Sequence, residues 1–186
     1  MERAGIYMKN VIQGKKVYFS HFVEEYFEVI AKEQWDNHFL RSLSWDNIHP
    51  WNVETWKQFE GDNEDNNRFL FALKEIENHH FIGWVSLSEV QFKNRGAELS
   101  IAILGEKNRN KGYGTDALNL ICQFAFYELG LHKIRLSVHS NNEAAIGLYE
   151  KIGFQKEGID REGLFQDGKW LDVYYYGLLL EEWQYS

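Results

Sequence analysis

Between Ala97 and Gly153 the spacing of apolar residues changes three times, and that alternation restricts the folds open to this chain more than any other feature. AELSIAIL, Ala97 to Leu104, is a run of strand formers, while Leu118, Ile121, Cys122, Ala125 and Leu129 recur at helical spacing. HKIRLSVH, from His132, places Ile134, Leu136 and Val138 on one face, and SNNEAAIGLYEKIG returns to helical spacing. Gly130 and Gly153 fit C-caps of the two helices, and Ser140 to Glu143 fits a capping box at the start of the second. Strand and helix in alternation predict helices packed on a sheet.

The flanking segments extend the pattern. A short strand from Lys16 to Phe22 precedes a helical pattern at Phe22, Tyr26, Val29 and Ile30. Aromatics then crowd Trp35 to Phe59, with Trp35, Phe39, Trp45, Trp51 and Trp56, and the chain's single proline, Pro50, lies among them. Mixed periodicity there predicts short helices joined by loops, ending in the polar loop GDNEDNN, Gly61 to Asn67. RFLFALKEI from Arg68 and HFIGWVSLSEV from His80 predict an antiparallel hairpin, and strands after Phe154 and from Trp170 to Leu180 flank an Asp167-Gly168 turn. With no repeat and no Pro-rich or Ser-rich linker, residues 1–186 read as one α/β (α+β) domain around a mixed sheet.

Composition removes several function classes. Lys and Arg total 20 against 28 Asp and Glu, a formal charge of -8, which opposes nucleic-acid binding and suits a cationic partner. No apolar run approaches the 18 or so residues of a membrane span. A lone cysteine, Cys122, forms no internal disulfide, and the start MERAGIYMKN lacks the apolar core of a secretory signal, which favours a reducing, cytoplasmic setting. The seven histidines show no HExxH spacing, so no metal site is expected. The acidic residues Asp62, Glu64 and Asp65 read as a solvated turn, or as an attractor for a cationic substrate.

The chemistry-bearing segment is RNKGYGTDA, Arg109 to Ala117, between a strand and an amphipathic helix. Its glycines allow a tight turn and close approach of a ligand, and the helix start favours phosphate oxygens. A nucleoside-triphosphate loop fails on the letters, because Asn110 stands where its second glycine belongs and no Ser or Thr follows Lys111. GYGTDA matches a dinucleotide fingerprint only in part: seven residues, Gly105 to Lys111, separate strand from glycines, and the next strand ends in Val138, His139 and Ser140 rather than an acid.

AELSIAILGEKNRNKGYGTDAL, KIRLSVHSNNEAAIGLYEKIGF, EGIDREG and DGKWLDVYYYGLL, taken in this order, resemble the GNAT-type N-acetyltransferases, within them the ribosomal-protein N-terminal and spermidine N-acetyltransferases. The resemblance covers about residues 81–181 and is loose over the N-terminal third. It implies the GNAT acyl-CoA N-acyltransferase fold, a central mixed and mostly antiparallel sheet flanked by helices, with acetyl-CoA as cosubstrate. The strand matching Leu99 to Ile103 would splay from that matching Lys133 to His139, with Ile101, Ala102 and Ile103 pairing the pantetheine arm. The backbone of Arg109, Asn110, Lys111, Gly112, Tyr113 and Gly114 would hold the pyrophosphate. Asn142 matches a cofactor-contacting asparagine, and Tyr149 a tyrosine near the thioester sulfur. Residues 16–67 would wall the acceptor site, where Trp and Tyr could bind a cation.

Proton arithmetic sets the rest. An alkyl amine of pKa near 10.4 is free base in about one part in 2,500 at pH 7, roughly 4.6 kcal/mol, whereas an α-amine loses only about 1 to 1.4 kcal/mol. Glu98 is the candidate base, acting through water, and Tyr149 the candidate proton donor to the departing thiolate. A helical stripe of Ala145, Tyr149 and Ile152 would equally bury Tyr149 as core, and Glu98 would equally serve as a solvent-facing strand residue. With no exposed nucleophile in view, direct transfer in a ternary complex is expected, to a protein N-terminal α-amine or a polyamine. Aminoglycosides or other small amines are the alternative acceptors, and a non-catalytic acyl-CoA-binding protein is the alternative class. The aromatic C-terminal segment could pack at a homodimer interface.

Overall fold

The computed structural model describes residues 11–43, 49–61 and 67–184. Trp45 and the acidic residues 62, 64 and 65 therefore lie outside the described residues. In chain order the elements are β1 (Val17–Ser20), α1 (Glu24–Glu33), α2 (Asn37–Leu43), α3 (Val53–Gly61), β2 (Phe69–Glu75), β3 (Phe81–Gln91), β4 (Gly96–Ile103), α4 (Tyr113–Gln123), β5 (Lys133–His139), α5 (Glu143–Ile152), β6 (Gln155–Gln166) and β7 (Lys169–Leu179). The strands form a seven-stranded sheet of order β1-β2-β3-β4-β5-β7-β6, antiparallel throughout except where β4 meets β5. This is the mixed, mostly antiparallel sheet with flanking helices that the sequence predicts.

Period-two alternation assigns the two faces. Ala97, Leu99 and Val85 join Ile134, Leu136 and Val138 in the larger core cluster, against Ala117, Leu118, Ile121 and Cys122 of α4 and Tyr149 and Ile152 of α5. The opposite face carries Trp84 and Ala102, packed with Ile30, Phe39 and Trp56 of α1 to α3. The aromatic stretch is thus largely core, as its composition suggests: Trp56 and Trp84 are buried, with ring centroids 6.2 Å apart, although Trp35 is 72% exposed.

Two local details differ from expectation. Asn142, not Ser140, caps α5, its side-chain oxygen accepting from the Ala145 N–H at 3.2 Å. Ser140 is taken up by the turn, donating its N–H to the Asp172 carbonyl of β7 at 2.9 Å. Past Gln123, α4 widens into a π-turn over Phe124–Glu128, and the Leu131 N–H reaches back to the Ala125 carbonyl at 2.9 Å before Gly130, at φ 65, lets the chain turn away. The Asp167-Gly168 hairpin forms as predicted, both residues at positive φ.

Candidate active site

The site is a fault in the sheet. β4 and β5 pair in parallel at Gly96 with Lys133, Ala97 with Ile134 and Glu98 with Arg135, and there the pairing stops. Both strands continue, β4 paired on its outer side with β3 as far as Ile103 and β5 paired with β7 as far as His139. Their facing edges beyond Glu98 and Arg135 are left without a strand partner, and backbone N–H and C=O groups inside a protein require partners. Between them lies a cavity of about 410 Å³, within the usual range for small-molecule sites.

Two helices begin on its wall. Gly112, Tyr113, Gly114 and Thr115 at the start of α4 line it, and so do Asn142, Ala144 and Ala145 at the start of α5. Gly112, the N-cap of α4 at φ 82, offers no side chain to satisfy the first-turn N–H groups, and a helix start in that state favours an anion. Gly114 packs so closely on α5 that a Cβ there would lie 3.0 Å from Leu148 Cδ2. Among the described residues no Asp or Glu lines the cavity. Open strand edges, two helix starts and the basic Arg109 together fit a ligand that is an amide chain at one end and a diphosphate at the other, as acetyl-CoA is.

All but two of the sequence-predicted residues meet at this cavity: Ile101, Ala102, Ile103, Arg109, Asn110, Gly112, Tyr113, Gly114, Asn142 and Tyr149. Lys111 stands outside the lining, its carbonyl accepting from the Lys16 ammonium at 2.5 Å and its own ammonium 5.9 Å from the Tyr113 ring centroid. Glu98 also stands outside it, at the last paired position of β4, half-buried opposite Ser88 and Arg135. By strand alternation Glu98 shares the face of Ala102 and Trp84, the side covered by α1 to α3. Burial raises the Glu98 pKa, the nearby Glu89 charge adds to the rise, and Arg135 opposes it.

Tyr149 is buried, its ring edge-on to Phe154 at 5.9 Å, and burial pushes its phenol up to about 12. It is therefore a neutral hydroxyl at any physiological pH. Tyr113 is held by Glu75 of β2, donating its hydroxyl to Glu75 Oε2 at 2.6 Å, and that bond pushes its pKa up to about 12. Arg109 forms an ion pair with Asp36, just before α2, so the glycine-bearing loop is tied to the helices on the other face. Cys122 is fully buried and burial raises its pKa, which leaves it a core residue rather than a nucleophile.

Several lining residues carried no signal as sequence. Phe39 and Ser42 of α2 close the cavity from the side of α1 to α3, and Ser137 and His139 come from β5. His139 is buried and burial lowers its pKa, so its imidazole is neutral near pH 7, with a backbone hydrogen bond to Arg41 opposing the shift. The period-two alternation of β5 could have flagged Ser137 and His139 as facing away from the helices; nothing comparable marks Phe39. Among the described residues no group of three or more His, Cys, Asp or Glu could hold a metal ion, and no helix is long and apolar enough to cross a membrane.

Known proteins resemble this chain in sequence and in fold. The Acetyltransferase (GNAT) domain model matches residues 18–155. A spermidine N(1)-acetyltransferase of Vibrio cholerae is 31% identical over 152 residues, 77% of this chain and 87% of that protein. An uncharacterized, prophage-derived N-acetyltransferase of Bacillus subtilis is 27% identical over 84% of this chain and 87% of its own length. In fold, the chain superposes on the solved spermidine N-acetyltransferase from Vibrio cholerae in complex with CoA and spermine with a TM-score of 0.79, at 24% identity, over 89% of this chain and 96% of that one.

Proposed function

The chain belongs to the GNAT acetyltransferase family and is an acetyl-CoA-dependent N-acetyltransferase, and from that premise we propose that its acceptor is a primary amine, either a protein N-terminal α-amine or a polyamine. Transfer is direct, within a ternary complex. The observation that carries this reading is the split between β4 and β5, lined by Tyr149 and the starts of α4 and α5, with no cysteine, lysine or carboxylate nucleophile among its described lining side chains. Residues 1–186 act as one domain, with 81–181 holding the cofactor and 16–67 shaping the acceptor side.

Acetyl-CoA supplies the activated carbonyl. The open edges of Leu99–Ile103 and Leu136–His139 take its amides, and the loop from Arg109 to Gly114 takes its pyrophosphate. Tyr149 donates a hydrogen bond to the sulfur as negative charge grows there. The magnitudes favour a hydrogen bond over full proton transfer: a phenol at about 12 facing a thiol near 8.5 would give up its proton at a cost of roughly 5 kcal/mol. The proton lost from the amine as the amide forms is a cheaper source for the thiolate. Glu98, its pKa raised, takes a different proton, the one the ammonium must lose before attack, and takes it through water from the acceptor face of the sheet.

The 31% identity to a spermidine N(1)-acetyltransferase supports the polyamine, and a lining without carboxylates among the described residues supports the less charged α-amine. Thiol release from acetyl-CoA, measured across N-terminal peptides, polyamines and aminoglycosides, separates them: amine-dependent release with peptides or polyamines is expected. Release that no amine stimulates would count against any acceptor of this class. Self-association is supported by the exposed Phe165–Trp170 pair on the β6–β7 arm, and light scattering should report a dimer or larger species.

A further inference from the structure

The start of α4 carries a charge of the wrong sign for the ligand assigned to it. Asp116 lies in its first turn, next to Thr115 on the cavity wall, and a bare carboxylate there opposes an anionic cofactor. It is bound from behind instead. The backbone N–H groups of Lys15, Lys16 and Val17 donate to its two oxygens at 3.0, 2.7 and 2.9 Å. The fit leaves no room for a side chain at Gly14, where a Cβ would fall 2.5 Å from Asp116 Oδ2.

The same segment reaches the loop ahead of α4. Lys16 Nζ donates to the Lys111 carbonyl at 2.5 Å, and a Cβ on Gly112 would lie 3.0 Å from that ammonium. One stretch of four residues leading into β1 thus grips both the glycine loop and the first turn of α4, about a hundred residues further along the chain. Neither Asp116 nor Lys16 lines the cavity.

We propose that Asp116 and Lys16 are positioning residues for cofactor binding: Asp116 docks residues 15–17 on α4, and the docked Lys16 holds the Lys111 carbonyl on the outer side of the loop, so that Gly112, Gly114 and Thr115 keep the cavity wall. This rests on the reading that the loop receives the pyrophosphate. It also explains why Lys111 is outside the lining while its neighbours are in it: its carbonyl is the handle by which the loop is held. Three charge-assisted bonds at one carboxylate, one of them part-buried, hold more strongly than the single exposed contact of Lys16.

Calorimetric titration of acetyl-CoA, with steady-state kinetics alongside, tests it on the wild type, Asp116→Asn, Asp116→Glu and Lys16→Met. Asp116→Asn should weaken cofactor binding about tenfold and Lys16→Met about threefold, each raising the acetyl-CoA KM more than it lowers kcat. Asp116→Glu should recover part of the loss. Folded Asp116→Asn and Lys16→Met proteins that bind acetyl-CoA as tightly as wild type, whatever their melting temperatures, would overturn the clamp alone. A wild type that does not bind acetyl-CoA overturns the parent reading and the clamp with it. If Asp116→Asn does not fold, Lys16→Met decides.

Discussion

The two faces of the sheet are built by different rules. The α4–α5 face depends on backbone: a ladder that stops at Glu98, a left-handed Gly112, a capping Asn142, and a Gly114 that lets α5 approach. The α1–α3 face depends on volume: Phe39, Trp51, Trp56 and Trp84 pack ring against ring, with Trp51 and Trp56 centroids 4.7 Å apart. Backbone requirements restrict the residues that meet them to one or two kinds. A packed volume is filled by many combinations of large apolar side chains. A shared cofactor therefore leaves a recognisable sequence, and an acceptor pocket does not.

That division is broken most forcefully at Trp56, 2% exposed at the centre of the aromatic cluster. Trp56→Ala should cost about 3–5 kcal/mol of stability in denaturant titration. The folded fraction should still bind acetyl-CoA within twofold of wild type; loss of cofactor binding in step with stability would mean that the two faces are one unit. Tyr149→Phe comes next, with kcat lowered about 100-fold and acetyl-CoA affinity unchanged, as expected for removal of one donor to developing charge. Full turnover by that variant would return Tyr149 to the core stripe.

Gly112→Ala acts on backbone alone. At φ 82 a Cβ is strained and meets Lys16, so acetyl-CoA affinity should fall by about 5-fold to 30-fold with little change in kcat, on a strain cost of roughly 1–2 kcal/mol. Glu98→Gln is the smallest, about a tenfold loss in kcat/KM for the amine. Because burial holds its carboxyl above the ordinary glutamate value, the wild-type rate should fall as pH drops through that raised pKa, and the variant should lose this acid limb. An acid limb of unchanged position would assign the base elsewhere, with His139 on the cavity wall the next group to replace.

Legibility in the sequence follows the same division. β3, β4 and β5, α4 and α5, and the Asp167-Gly168 turn announce themselves through period, caps and glycines, and residues of β4, β5, α4 and α5 converge on the cavity. Local signals were enough there because each residue's task is set by its neighbours in sequence. The Asp116 clamp was not legible, since its donors lie about a hundred residues away and are backbone N–H groups that any residue but proline supplies. Phe39 was not legible as a wall residue either. Its place depends on how α2 lies over the sheet, and the sequence between Trp35 and Phe59 has no single period from which that could be read. The Ser140 capping box failed because three cap-forming residues, Ser140, Asn141 and Asn142, stand together in the turn between β5 and α5, and a backbone bond to Asp172 of β7 holds the first.

The split between β4 and β5 underlies every role assigned to the site, and amide hydrogen exchange with and without acetyl-CoA tests it most directly. Exchange should slow on cofactor binding at Leu99–Ile103 of β4 and Leu136–His139 of β5, where the open edges gain partners, and should stay unchanged across the β6–β7 hairpin. Saturating acetyl-CoA that leaves both open edges exchanging as before would contradict it.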